Sequence, residues 1–132
     1  MFDELEVDKP LLLQGDCAEL LSRIPDASVD AIITDPPYSI TQLEWDKPID
    51  LMMMWGKYKR IIKKNGAIVV FCQEPFTSKL ICSNEKYFKE KLTWEKHKPS
   101  NIGCAKYRHL KYNEEITIFS YGKHTFNPQM QR

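Results

Sequence analysis

The sequence predicts an α/β fold: a mostly parallel sheet with helical crossovers and an antiparallel final strand. Short apolar runs at 11–14, 27–35 and 67–72 alternate with segments of helical periodicity. Within 27–35 the apolar residues Val29, Ala31, Ile32 and Ile33 are nearly continuous, which is typical of a parallel strand that is covered on both faces. With 132 residues, the chain has the length of one domain or of part of one.

The first predicted strand is "LLLQ" at 11–14, a short apolar run that we expect to be buried. Asp16, followed three residues later by Glu19, has the form of a capping box that begins a helix. This helix is expected to end near Pro25, before the second strand at 27–35.

Residues 36–47 form a predicted loop whose length favours a functional role. A second helix is expected to follow, with Asp46 as its N-cap and Pro48 in its first turn. Asn65-Gly66 is the expected end of this helix. The apolar residues that repeat at helical spacing are Leu51, Trp55, Tyr58 and Ile62.

The remaining elements are a third apolar strand at 67–72 and a short helix at 75–85. An alternating pattern predicts an amphipathic strand at 89–96, and 115–121 is expected to be a final strand antiparallel to it. Between these two strands, 97–114 is predicted to be a long basic loop.

The charge of the chain is divided unevenly between its halves. Residues 1–50 sum to −9 and residues 51–132 to +10, and this asymmetry favours an anionic partner for the second half. No apolar run approaches the roughly 20 residues of a membrane-spanning helix. The four cysteines show no CxxC spacing and form no metal-ligand pattern with the three histidines. We therefore expect reduced thiols, no metal and no membrane segment.

The most informative motif is Asp35-Pro36-Pro37-Tyr38, directly after the strand at 27–35. Ligands of open α/β sheets bind at the carboxyl ends of strands. Two prolines fix the backbone and remove two N–H donors, which leaves carbonyls and the Asp35 carboxylate as acceptors for an –NH2 group. Tyr38 offers a flat face for a planar ring. The motif thus predicts a pocket for adenine or cytosine; the alternative is a Pro-Pro turn in which Asp35 caps a neighbouring element.

The segment "GDCAELLSRIPDASVDAIITDPPY" resembles the DNA amino-methyltransferases, which transfer a methyl group from S-adenosylmethionine to adenine N6 or cytosine N4. The segments "EWDKP", "GAIVVFC", "LTWEKHKP" and "YNEEITIFSYGK" resemble the subgroup whose catalytic half precedes its cofactor half. The resemblance covers roughly 11–128. It implies part of a Rossmann-like methyltransferase sheet and a cytoplasmic protein of bacterial or phage type.

The resemblance also implies roles for individual residues. Asp35 and the Pro36 carbonyl would accept hydrogen bonds from the target amine, with Pro37 completing the rigid turn. Tyr38 would stack on a base that has been flipped out of the DNA helix. Asp16, with its neighbour Cys17, would bind the cofactor together with Asp35; the alternative for Asp16 is the helix cap already described.

The basic loop is the predicted nucleic-acid contact, since cations next to aromatic rings suit phosphate binding and base stacking. A solvated loop with core aromatics is the alternative. Tyr112 is a candidate for the base pocket by position. The candidate DNA-binding residues are Lys96, Lys98, Lys106, Arg108, His109, Lys111 and Tyr112.

The sequence departs from this family in its glycines. No two of the five glycines lie within three positions of each other, so the FxGxG loop that approaches the cofactor's methionine end is absent. We therefore expect residues 1–132 to be the catalytic portion of one methyltransferase domain, with the FxGxG loop and the target-recognition segment beyond residue 132. A missing half or a second chain would complete the sheet, and these residues alone would have weak activity or none.

Adenine N6 is the preferred target because the motif begins with Asp rather than Ser. The alternatives are an N4-cytosine methyltransferase and a non-catalytic nucleic-acid-binding remnant of the same fold. Methylation of a protein glutamine is less favoured because those relatives usually begin the motif with Asn. RNA is a further substrate that the residues leave open.

Overall fold

The computed structural model describes residues 10–39 and 47–129, which form three α-helices and four β-strands. Single 3₁₀ turns at 85–87 and 102–104 lie on either side of the third strand. In chain order the elements are α1 (Cys17–Arg23), β1 (Val29–Thr34), α2 (Leu51–Ile61), β2 (Ile62–Cys72), α3 (Phe76–Ser83), β3 (Phe88–Ser100) and β4 (Lys111–Phe119).

The four strands form one mixed sheet in the order β1-β2-β4-β3. Strand β1 is parallel to β2, and β4 is antiparallel to both β2 and β3. Strands β1, β2 and β3 therefore run in one direction and β4 in the other. The prediction of a mostly parallel α/β sheet with an antiparallel final strand is confirmed.

The hydrophobic core lies between one face of this sheet and helices α2 and α3. Ile68, Val70 and Cys72 alternate along β2 and are fully buried beneath the helices. Trp55 of α2 packs against Phe119 of β4, with the ring centroids 4.7 Å apart. Helix α1 contacts α2, and its Leu21 packs against the same core.

Strand β1 is found where the sequence predicts it, but it is not covered on both faces by the described residues. Ile32 packs against the core, whereas the neighbouring Ile33 is 71% exposed. The expectation of a strand buried on both faces is therefore wrong for the part of the chain that the structure describes.

The segment "LLLQ" at 11–14 does not form a strand, and its three leucines are exposed. This prediction is wrong for a physical reason. A short apolar run becomes a strand only when a neighbouring strand satisfies its backbone groups. In the described sheet β1 pairs only with β2, so no strand is paired with the segment at 11–14.

The predicted start of α1 is confirmed, and the predicted start of α2 is not. Asp16 caps α1: its Oδ1 accepts from the N–H groups of Ala18 and Glu19 at 2.9 and 3.1 Å. For α2 the cap is Asp50, whose Oδ1 accepts from the Met53 N–H at 3.0 Å. Asp46 lies outside the described residues.

The predicted end of α2 at Asn65-Gly66 is also wrong. The helix ends at Ile61, and Ile62 takes an extended conformation in which it pairs with Val29 of β1. Gly66 lies inside β2, where a Cβ atom would be 2.5 Å from the Ile62 Cγ1 and 2.7 Å from the Asp30 carbonyl oxygen. Close packing thus explains this glycine.

The predicted basic loop at 97–114 is shorter in the structure. Strand β3 continues to Ser100 and β4 begins at Lys111. Only residues 101–110 connect the two strands, because the ladder extends to a pairing of Ser100 with Lys111 after an irregularity beyond Glu95.

Candidate active site

The Asp35–Tyr38 motif leaves the sheet at the carboxyl end of β1. Thr34, the last residue of β1, is held in register with Val70 of β2. Asp35 is exposed, and Pro36, Pro37 and Tyr38 are half-buried. The strand thus positions an exposed carboxylate next to a rigid turn at the edge where α/β sheets bind ligands.

Tyr38 holds the Asp35 side chain in place. Its hydroxyl donates a hydrogen bond to Asp35 Oδ1 at 2.5 Å. Its ring stacks on Phe76 at the start of α3, with centroids 5.5 Å apart and an interplanar angle of 25°. Burial, and after it the bond to Asp35, raises the pKa of Tyr38 well above its usual range. Tyr38 is therefore a neutral donor that orients a carboxylate.

This contact was not part of the sequence prediction for Tyr38, which was stacking on a base. Phe76 was also missed. Phe76 follows the carboxyl end of β2, which lies beside the carboxyl end of β1 because the two strands are parallel. Its position just after the predicted strand at 67–72 could therefore have indicated that it lies near Tyr38. The stacking of Tyr38 on a base stays a prediction.

A mostly apolar cavity of about 280 Å³ adjoins the motif. It lies between α1, α2 and the residues that follow β1. Its polar groups include the Asp35 and Asp50 carboxylates. The residues that line it are Cys17, Ala18, Leu21, Thr34, Asp35, Pro36, Pro37, Ile49, Asp50, Met53, Met54 and Tyr58. Burial raises the pKa of Tyr58, so its phenol contributes no charge to the cavity at neutral pH.

Two of the three predicted cofactor-binding residues, Cys17 and Asp35, line this cavity together. Asp16 lies directly before Cys17 and caps α1, which is the alternative that the sequence left open. Capping accounts for one carboxylate oxygen, Oδ1. The contributions of Asp50 and Met53 were missed, because the cap of α2 was assigned to Asp46.

The predicted DNA-binding residues follow the same edge of the sheet. Since β1 and β3 run in the same direction, the connection after β3 lies at the edge where Asp35 lies. The Glu114 carboxylate at the start of β4 contributes to the raised pKa of Tyr38, after burial and Asp35. The motif and the beginning of β4 are therefore close in space.

Three of the predicted cations already have partners within the protein: Lys96, Lys111 and Arg108, whose Nη2 donates to the Cys104 Sγ at 3.7 Å. Lys96 forms an ion pair with Glu114 and lies 5.9 Å from the centroid of the Trp94 ring. The Lys111 Nζ donates to the Glu74 carbonyl oxygen at 3.5 Å. The exposed candidates are Lys98, Lys106, Arg108, His109 and Tyr112.

Across residues 10–39 and 47–129, no group of three or more His, Cys, Asp or Glu side chains has the arrangement of a metal site. The four cysteines are free thiols, and Cys72 is the buried one. The same part of the chain contains no helix that is long and apolar enough to cross a membrane.

A mixed α/β sheet with an oriented carboxylate and an apolar cavity at its carboxyl edge has the arrangement at which α/β proteins generally bind organic ligands. Comparison with known proteins makes the class specific. The model of the N6/N4 methyltransferase family, described as DNA methylase, matches residues 29–131. The chain belongs to this DNA methyltransferase family.

The chain is similar to type II methyltransferases. It is 30% identical to M1.MboII of Moraxella bovis over 93% of this chain and 50% of that protein. It is 27% identical to M2.MboI of the same organism over 83% of this chain and 48% of that protein. The chain thus spans about half the length of the curated relatives it matches.

Solved structures show the same relation. The complex of M1.HpyAVI with SAM has a TM-score of 0.57 and 25% identity, covering 81% of this chain and 54% of that chain. The PvuII DNA methyltransferase, described as cytosine-N4-specific, has a TM-score of 0.62 and 16% identity over 83% of this chain and 48% of its own. This second likeness supports the fold, which is that of a methyltransferase sheet.

Proposed function

We propose that the chain is the catalytic portion of a DNA methyltransferase that transfers a methyl group from S-adenosylmethionine to adenine N6. The observation that carries the proposal is the Asp35 carboxylate, fixed by the Tyr38 hydroxyl at the end of β1 and adjoining an apolar cavity. Family membership and the SAM complex of M1.HpyAVI support it.

The chemistry of the site suits an exocyclic amine. Asp35 and the Pro36 carbonyl accept hydrogen bonds from the two amine hydrogens, which localises the nitrogen lone pair and stabilises the positive charge that develops on nitrogen. Neither residue forms a covalent bond to the base. Tyr38 keeps the carboxylate in position, so that no energy is needed to reorient it during the reaction.

The donor set also fits the proposed cofactor. The cavity combines apolar walls with the carboxylates of Asp35 and Asp50, which suits an adenosine group and a neighbouring positive charge. Asp16, Cys17 and Asp35 are the proposed cofactor-binding residues. When bound, S-adenosylmethionine supplies an electrophilic methyl group on a positively charged sulfur.

DNA is the proposed substrate because exposed cations lie on the connection between β3 and β4, at the same edge as Asp35. Lys98, Lys106 and Arg108 would contact phosphates. Lys96 and Lys111 serve a structural role first, through Glu114 and the Glu74 carbonyl.

Adenine N6 is preferred because the motif begins with Asp. Cytosine N4 is the second candidate, since its amine presents the same two hydrogens to Asp35 and Pro36. The two are distinguished by joining this chain to the part of M1.MboII that it does not match and analysing the methylated nucleosides of treated DNA. N6-methyldeoxyadenosine is expected; N4-methyldeoxycytidine would replace the adenine assignment.

A nucleic-acid-binding remnant is distinguished from an enzyme by calorimetric titration of S-adenosylmethionine into the chain. Binding that is lost in Asp35→Ala supports the proposal and contradicts the remnant. DNA affinity that falls with salt, without cofactor binding, would favour the remnant.

Tyr38→Phe tests the orienting role of the Tyr38 hydroxyl in the joined protein. Phe keeps the ring on Phe76 but removes the donor to Asp35. We expect methyl transfer to fall about tenfold, since a hydrogen bond to a charged group contributes about 1.5–3 kcal/mol. Unchanged transfer in Tyr38→Phe, with a large loss in Tyr38→Ala, would instead show that the ring matters and the hydroxyl does not.

A further inference from the structure

The amino ends of the strands form the edge of the sheet opposite to Asp35, and this edge is basic. Strands β1, β2 and β3 begin there and β4 ends there. Exposed lysines from four different segments lie along it. We call them the amino-edge cluster: Lys59 at the end of α2, Lys64 near the start of β2, Lys86 in the turn before β3, and Lys123 after β4.

Two tyrosine rings bring Lys59 and Lys86 together. The Lys59 Nζ lies 6.0 Å from the centroid of the Tyr87 ring and 5.7 Å from that of Tyr121. The Lys86 Nζ lies 5.4 Å from the centroid of the same Tyr87 ring. The two rings contact each other edge to face, with centroids 4.6 Å apart. Cation–π contacts thus hold two ammonium groups around one pair of aromatic rings.

The other two lysines are brought close by the packing of β2 against the chain after β4. A Cβ atom on Gly122 would clash with the Lys64 carbonyl oxygen and would lie 3.3 Å from the Lys64 Cγ. Lys123 follows Gly122 directly. The two segments are therefore in contact where each of them carries a lysine.

Among the described residues, none of the four lysines has an ion-pair partner. The neighbouring cations of this edge do have partners, since Arg60 pairs with Asp26 and Lys63 with Asp30. The carboxylates of Asp26 and Asp30 are thus already occupied by cations outside the cluster.

The remaining polar groups of this edge leave the cluster positively charged. Burial raises the pKa of Tyr121, so its phenol adds no negative charge at neutral pH. Glu85 and Glu90 are exposed and form no ion pair within the described part of the chain. Like charges repel each other, so lysines gathered in this way favour a bound anion.

One of these lysines also has a local explanation. Lys59 lies in the last turn of α2, where the helix dipole stabilises a positive charge. This explanation does not extend to Lys64, Lys86 and Lys123, which lie outside the α-helices. The dipole of α2 therefore does not account for the cluster.

We propose that the amino-edge cluster binds the phosphate backbone of a second segment of duplex DNA, independently of its base sequence. Duplex DNA carries one negative charge per about 1.7 Å of its axis. Such an extended polyanion contacts lysines from several segments at once, whereas a small anion would contact one or two. The choice of DNA rests on the proposed function, but the binding needs neither Asp35 nor a cofactor.

This DNA segment is distinct from the one that would present a base to Asp35. Asp35 follows the carboxyl end of β1, and the cluster lies at the amino end. Since β1 has six residues, the two sites are separated by about 20 Å of strand. A short duplex bound at one edge would have to bend sharply to reach the other, and such bending is costly. The chain should therefore bridge two duplexes.

The first test measures the salt dependence of binding between the chain and a short fluorescent duplex. Each phosphate contact contributes about 0.9 to the slope of log K against log salt, so Lys59→Gln/Lys86→Gln should reduce this slope by about 2. Both lysines are exposed, so the variant should fold. The matched control is Lys79→Glu, which changes the net charge by the same amount at an exposed position of α3.

The second test detects bridging by energy transfer between a donor-labelled and an acceptor-labelled duplex. We expect transfer with the wild type and with Lys79→Glu, and loss of transfer with Lys59→Gln/Lys86→Gln while one duplex still binds. Neither test involves methyl transfer. A failure of the methyltransferase assignment would therefore be distinguishable from a failure of this inference.

Three results would overturn the proposal. One is a salt slope and an energy transfer that Lys59→Gln/Lys86→Gln leaves unchanged, or alters only as much as Lys79→Glu does. Another is displacement of the duplex by poly-glutamate or by anionic lipid vesicles as effectively as by DNA of equal charge, which would make an acidic protein or a membrane surface the partner. The third is the absence of duplex binding by the chain at low salt.

Discussion

The two faces of the sheet differ sharply although they alternate along the same strands. On the helix-covered face, Ile68 and Val70 are fully buried beneath α2 and α3. On the opposite face, which we call the open face, the neighbouring Val69 and Phe71 are only partly covered, and Ile33 is 71% exposed. Both sets are apolar, so composition does not explain the difference.

The difference indicates which part of the fold the chain builds itself. The region around β2, β4, α2 and α3 has its own core, in which Trp55, Phe88 and Phe119 pack edge on or tilted against each other. Among the described residues, no layer buries the apolar side chains on the outer side of β1. The candidate site lies between these regions, because Asp35 follows β1 and Tyr38 stacks on Phe76 of α3.

The largest expected effect comes from the same substitution on the two faces. Ile68→Ala removes a fully buried side chain and should lower the free energy of unfolding by about 2–5 kcal/mol. Ile33→Ala should change it by less than about 0.5 kcal/mol, as for other exposed positions. Urea denaturation of the chain measures both. Equal losses would show that the open face is buried in the chain by itself.

A smaller effect is expected from the glycines. At Gly66 an alanine Cβ would meet the Ile62 side chain and the Asp30 backbone, so Gly66→Ala should destabilise the chain by about 1–3 kcal/mol. Gly56 of α2 has open space around its Cα. Gly56→Ala should therefore stabilise by about 0.5–1 kcal/mol. Thermal denaturation checks the opposite signs; a neutral Gly66→Ala would mean that β1 and β2 are less closely packed.

The smallest expected effect concerns Glu115, which pairs with Cys72 at the end of β2 on the helix-covered face. Burial is the largest influence on Glu115 and would raise its pKa. The Lys91 hydrogen bond at 2.6 Å, Thr77 and the positive charges of Lys91 and Lys111 together outweigh burial and hold this pKa below the usual 4.5. The stabilisation is therefore present above that value and lost as the pH falls below it.

The measurement is the urea midpoint of the wild type and of Glu115→Gln between about pH 6 and about pH 3. The advantage of the wild type over Glu115→Gln should shrink toward acid pH. A difference that is constant across this range would contradict the role of the Glu115 charge.

Much of the fold could be predicted from local patterns. The Asp16 cap, β1 and the antiparallel final strand follow from capping chemistry and apolar periodicity. The failures share a cause, which is dependence on distant neighbours. In the part of the chain that the structure describes, the run at 11–14 has no strand to pair with, and Ile62 leaves helical spacing because it pairs with Val29.

The candidate site was predicted in its place but not in its contacts. The sequence indicates an acceptor-rich turn at a strand end, and the structure positions Asp35 there. The bond from Tyr38 to Asp35 and the stacking on Phe76 were not foreseen. A local motif does not specify which ring of another element packs against it, because that depends on how α3 is placed over β2.

The central claim is that Asp35, held by Tyr38, binds the amine that receives the methyl group. The direct measurement compares the methylated nucleoside formed on DNA by the wild type and by Asp35→Ala, each joined to the unmatched part of M1.MboII. We predict N6-methyldeoxyadenosine from the wild type and none from Asp35→Ala, with both proteins folded because Asp35 is exposed. Equal methylation by the two proteins, or none by either, would contradict the account.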